Sequence, residues 1–199
     1  MHVSEGVLSP PVLAAGWALA AGGLAIGLKK TPVEKLPETA LVSAVLFLAS
    51  LVHVPLGPAS IHLTLLGIAG IMLGWSAVPA LFIALFLQGL LFQFGGLLSL
   101  GVNTVSMGGA AICGCLVFRI IPEKLRLIGA FLGGFTAVIV GTAIVVTSLF
   151  FSDNALQTTA AMLFAANVPL AAVEGLISCF IVAFLSKIKP DYVSRPVRI

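Results

Sequence analysis

The chain begins Met1-His2, and with a free terminus that dipeptide is a chelator. The terminal amine, the deprotonated backbone nitrogen of His2 and its imidazole Nδ1 can close fused five- and six-membered rings on one metal ion, with three nitrogens in a plane. A fourth nitrogen from a distant histidine would complete a square-planar N4 set, the tetragonal geometry that suits Ni(II) or Cu(II) among divalent ions. The initiator Met is expected to be retained, because His is too large a second residue for its usual removal. Two more histidines, His53 and His62, complete the chain's three, and residue type alone does not choose between them.

Other polar residues lie inside apolar runs. Glu174 is the acidic residue deep in such a run, and an ionised group at membrane depth costs about 2.5 to 3.5 kcal/mol on insertion scales, so it needs a partner or a proton. Asn167, seven residues earlier, falls on almost the same helical face about 10 Å along the axis. Pro169 between them frees a carbonyl and kinks the helix. Gln88 and Gln93 read as interhelical hydrogen-bonding groups. Glu5 follows the Met-His start and Asn103 closes a glycine-rich segment. With His53, Gln93, Asn167 and Glu174 they are kept as supporting positions around a site. Cys113, Cys115 and Cys179 sit in apolar runs as small buried residues, and the first two point about 200° apart around a helix.

Those residues need elements to position them. Of 199 residues 60% are hydrophobic and 9% charged, and the mean hydropathy is +1.20. That excludes a soluble globule, in which roughly 25% of residues are charged. The net charge of +3 comes without a basic stripe interleaved with aromatics, so no nucleic-acid partner is expected. No phosphate loop, H-E-x-x-H or G-x-S-x-G motif occurs, so neither ATP hydrolysis nor a recognised hydrolase is indicated.

Apolar runs at about 9–28, 39–54, 62–74, 76–94, 104–121, 125–151 and 157–186 predict an all-α, polytopic seven-helix bundle in the lipid bilayer, forming a single domain over 1–199. The third run is short for a crossing. Lys29, Lys30 and Lys35 follow the first run, Arg119, Lys124 and Arg126 separate the fifth from the sixth, and Lys187, Lys189, Arg195 and Arg198 follow the seventh. Seven spans place all of them on one side, which predicts the amino terminus outside and the carboxyl terminus in the cytoplasm. No cleaved signal peptide is expected, since Met1–Gly6 has no basic n-region and contains Glu5. All three histidines then share the outer face. The segment from His53 to His62, with Pro55, Gly57 and Pro58, favours a defined irregular loop. The apolar segment 95–103 is expected to dip into the bundle as a wall or lid.

The residues Met-His-Val-Ser-Glu-Gly at 1–6 and the segment from His53 through Pro-Leu-Gly-Pro-Ala-Ser-Ile to His62 resemble motifs of the CbiM/NikM substrate-binding components of energy-coupling-factor cobalt and nickel transporters. So do Leu-Leu-Phe-Gln-Phe-Gly-Gly-Leu at 90–97, Leu-Gly-Val-Asn-Thr at 100–104 with Met107-Gly108, and Asn167 through Pro169 to Glu174-Gly175, in the same order. The resemblance implies a seven-helix fold with the amino-terminal segment tucked into the bundle. It implies Ni(II) or Co(II) as transported substrate, held by the Met1 amine, the backbone and imidazole nitrogens of His2, and His62, with His53 beside them. It further implies a transmembrane scaffold subunit, two ATPase subunits and a small accessory membrane subunit as partners, no organic cofactor, and a prokaryotic cell membrane as location. Relatives often carry His where this chain has Asn167, so no metal-relay role is carried over there. A segment fused after the last span in some relatives is expected on a separate chain. A stand-alone metal channel or facilitator is the competing function.

Overall fold

The computed structural model describes residues 2–51, 53–56, 59–190 and 193, with the backbone alone for 2, 53–56, 59–61 and 154. Short strand β1 is His2–Val3, followed by α1 (Pro10–Lys29), α2 (Leu36–Ser50), β2 (His53–Leu56), β3 (Ala59–His62), α3 (Leu66–Leu73), α4 (Ala77–Phe92), α5 (Leu100–Ile120), α6 (Arg126–Phe150) and α7 (Gln157–Ile188). Pro10 and Pro11 open α1, where a missing N–H costs nothing and φ is already helical. Pro169 stands inside α7.

Five stretches among the described residues are long and apolar enough to cross a membrane: Pro10–Lys29, Leu66–Phe92, Leu100–Ile120, Glu123–Phe150 and Gln157–Ile188. The chain is a multi-pass, predominantly helical membrane protein. The expectation of seven such spans is corrected here. The predicted second span is interrupted, because α2 stops at Ser50 and residues 53–56 are a strand. The third is reduced to the eight residues of α3, since His62 closes a strand. Gly74, with φ of 57°, breaks α3 from α4 inside what counts as one apolar stretch.

The predicted irregular segment is also more regular than expected. β1, β3 and β2 form an antiparallel sheet in that order. Backbone polar groups surrounded by apolar matter must be paired internally, and this small sheet does so where a loop would not.

Close approach of backbones holds the bundle together. A Cβ on Gly70 of α3 would collide with the Ala111 carbonyl of α5, and one on Gly67 would meet the backbone of Gly134 in α6. Gly134 in turn lies against Glu174 and Gly175 of α7. Every residue of α3 except Met72 is buried, so α3 is an interior crosspiece between α5 and the α6–α7 pair. Large apolar side chains such as Leu19, Ile120, Phe180 and Phe184 are exposed around the outside, where lipid would cover them.

The two ends of the bundle differ. At the sheet end, the Ser9 N–H donates to Ser152 Oγ at 3.1 Å, the Leu98 N–H to Glu5 Oε1 at 3.0 Å, and Trp17 Nε1 to the Leu98 carbonyl at 3.1 Å. At the other end, Lys29 and Lys30 finish α1, Thr31 Oγ1 donates to Ser76 Oγ at 2.9 Å, and Lys30 Nζ lies 5.5 Å from the Trp75 ring centre. The Arg126–Glu123 ion pair lies at that end. A cavity there is lined by both Lys124 and Lys187.

Candidate metal centre

The sheet brings the three histidine positions together. His2 pairs with Ser60, and His62, two residues along the same strand, pairs with His53. Successive residues of a strand alternate between faces, so positions 2, 53, 60 and 62 share one face. Opposed positions in such a ladder are about 5 Å apart and diagonal ones about 7 to 8 Å. The other face carries Val3, Val54, Leu56, Ala59 and Ile61 by the same register. Val3 is completely buried in an apolar cluster with Leu8, Val102, Val145, Leu149 and Leu163. The apolar face of β1 is thereby seated on α5, α6 and α7, and the register leaves the polar positions on its reverse. Met1 lies outside the described residues, as do the side chains of His2 and His53. Among the side chains that are described, no three His, Cys, Asp or Glu residues cluster.

His62 is buried, with Nδ1 3.0 Å from the Leu63 carbonyl oxygen. A carbonyl only accepts, so this contact is a hydrogen bond when Nδ1 carries the proton, and in neutral imidazole the metal-binding lone pair is then on Nε2.

Asn103 closes the free edge of β1. Its Oδ1 accepts from the Val3 N–H at 2.9 Å, and its Nδ2 donates to the Val3 carbonyl at 3.1 Å and to Ser99 Oγ at 3.3 Å. One amide side chain thus substitutes for a neighbouring strand. Glu5 works one step further on. Its carboxylate receives the Leu98 N–H, and Gly96, at φ of 88°, lies so close that a Cβ there would fall 2.6 Å from Glu5 Cβ. Segment 95–103 therefore lies over Glu5, and from Leu100 it is already helix. Gly95, Gly96 and residues 99–103 are buried, while Leu97 and Leu98 are 43% and 59% exposed, so only the tip of the segment faces outward. Gln93 caps α4 in the left-handed region at φ of 57° and is exposed, a backbone role the sequence reading did not give it.

Glu174 is completely buried and reaches the chain just beyond His62. Its Oε1 accepts from the Thr64 N–H, from Thr64 Oγ1 at 2.8 Å and from the Leu65 N–H at 2.9 Å. Oε2 has no hydrogen-bond partner among the described residues. The partners of Glu174 among the described residues are therefore two backbone N–H groups and one hydroxyl. Nothing in the sequence flagged Thr64, since a threonine in an apolar run carries no signal until the carboxylate is placed beside it. Asn167 is buried as well, with Nδ2 donating to the Leu163 carbonyl at 2.8 Å within its own helix. Oδ1 of Asn167 and Oε1 of Gln88 have no partner among the described residues, so neither makes an interhelical hydrogen bond there.

Residues 2–192 match the family described as the cobalt uptake substrate-specific transmembrane region, CbiM. The chain belongs to this family. A Haemophilus influenzae protein named for metal transport is 38% identical over 202 residues, with 98% of each chain covered. The fused nickel transport protein NikMN of Rhodobacter capsulatus is 34% identical over 113 residues, covering 54% of this chain and 33% of that protein. The crystal structure of a truncated transition metal transporter superposes with a TM-score of 0.79 at 27% identity, covering 94% of this chain and 99% of that one. As a CbiM family member the chain is a transmembrane component of metal uptake.

Proposed function

We propose that this chain is the metal-binding membrane component of an ATP-driven energy-coupling-factor transporter, and that it captures Ni(II) or Co(II) as substrate at the sheet end. In this reading the sheet end faces outward and the lysine end the cytoplasm. The donors are the Met1 amine, the backbone nitrogen and Nδ1 of His2, and His62, with His53 beside them. The observation that carries the proposal is the sheet register, which gathers positions 2, 53 and 62 on one face from three separate parts of the chain. Metal binding there needs deprotonated nitrogens and displaces their protons. Asn103 and Glu5 hold the amino-terminal segment in place, while ATP hydrolysis is assigned to partner chains: two ATPase subunits, a membrane scaffold and a small accessory membrane subunit. The fused relative supports a multi-subunit assembly by its name.

The test is titration of purified protein with Ni(II) and Co(II), beside a variant carrying one extra residue before Met1. Tight binding by the native terminus and its loss on extension is the expected result. Equal binding by both removes the amine from the ligand set. A stand-alone facilitator would differ by moving metal into liposomes without any ATPase partner.

A further inference from the structure

The polar network around Glu174 has no evident reason to exist in an apolar bundle unless the segment it holds must keep one conformation. That segment starts at His62. Strand β3 ends at His62, and three residues later Leu65 takes φ of 52° before α3 begins. A bulky non-glycine residue in the left-handed region is strained and persists only where its surroundings over-determine it. The surroundings here are one carboxylate oxygen accepting from the Leu65 N–H, the Thr64 N–H and the Thr64 hydroxyl. The Glu174 backbone is itself wedged against Gly134 of α6, so the acceptor sits on a rigid support.

Resting on the function proposed above, we infer that Glu174 is a positioning residue for the metal. Its hydrogen bonds among the described residues go to Thr64 and Leu65, just beyond His62 in the chain. Through Thr64 and Leu65 it fixes where β3 ends, and with it the register that sets His62 opposite His53 and diagonal to His2. Without these hydrogen bonds, Leu65 can relax into the right-handed region and α3 can extend toward His62, so the strand end and the helix start compete for the same residues. The metal is then held by the same donors in a looser frame, and leaves faster.

The experiment compares wild type with Glu174→Met, Thr64→Val and Thr64→Ser in detergent, using Ni(II) as the probe. It reads Ni(II) affinity, the rate of release to an excess of competing chelator, the ligand-field absorption band and thermal stability. Partners beyond the direct ligands are typically worth 10- to 100-fold in metal affinity. Glu174→Met, which removes the acceptor at similar volume, is expected to weaken Ni(II) by about that factor with a faster release and an unmoved absorption band, since the donors are unchanged. Thr64→Val should show a smaller loss, and Thr64→Ser, which keeps the hydroxyl, should behave as wild type. A merely structural Glu174 would lower thermal stability and leave affinity and release rate alone, which overturns the inference. If Glu174→Met does not fold, Thr64→Val decides: unchanged affinity overturns the inference and faster release supports it. Wild type that binds no Ni(II) overturns the proposed function and the inference with it, whereas wild-type binding matched by all variants overturns the inference alone.

Discussion

At the scale of single residues, Asn103 and the nitrogen donors make the most direct predictions. Asn103 both donates to and accepts from Val3, so Asn103→Leu leaves one buried N–H and one buried C=O unpaired, about 1 to 3 kcal/mol for each. Both thermal stability and Ni(II) affinity should fall. Asn103→Asp keeps the acceptor and loses the donor, so its stability should lie between the two in the same unfolding experiment. The pH dependence follows from the donors. A free terminal amine and an imidazole titrate at about 7.7 to 8.0 and 6.5. Protons therefore compete more strongly as pH falls, and Ni(II) affinity should drop steeply from pH 8 to 5.5. Calorimetric titration across that range reads the slope, and a flat profile would exclude nitrogen ligation. Of these residues, His2 was a candidate from donor type and position, while His62 was chosen over His53 only by the family resemblance. The roles of Asn103 and Thr64 were not legible, because a hydrogen bond across 100 residues or more leaves no local pattern.

At the scale of elements, hydropathy located the apolar runs but misread how the chain uses them. The run starting at His62 has the composition of a helix throughout, yet His62 ends a strand and helix starts only at Leu66, because pairing with β1 and β2 satisfies backbone that a helix in this place would take away from the sheet. Length was the available signal. A stretch of about 13 residues is too short to cross a bilayer, and α3 lies inside the bundle as a crosspiece instead. Its glycines give a contrast to measure. Gly70→Ala forces a methyl group onto the Ala111 carbonyl, and overpacking of this kind costs about 1 to 3 kcal/mol. Gly22, in the middle of α1, has open space where a Cβ would go, so Gly22→Ala should be stabilising by about 0.5 to 1 kcal/mol through helix propensity. Melting temperatures of the two variants should move in opposite directions.

For the whole molecule, Lys29, Lys30, Lys124, Arg126 and Lys187 lie at the end opposite the sheet, while Arg195 and Arg198 lie outside the described residues. The proposed orientation is open to labelling in intact cells. In a background with Cys113, Cys115 and Cys179 replaced by Ala, a thiol at Leu98→Cys should react with a membrane-impermeant reagent, and one at Lys187→Cys should react only after the membrane is opened. The reverse pattern would invert the proposal. The shortness of β1 has its own consequence. Two residues of strand, clasped by β3 on one side and one amide on the other, are joined to α1 by only residues 4–9. A tether of that length supplies its end at an effective concentration of about millimolar. A free peptide copying the first residues should therefore occupy the groove of a chain lacking them when added at about that concentration, so that metal capture divides into two separable molecules, one of them a tripeptide.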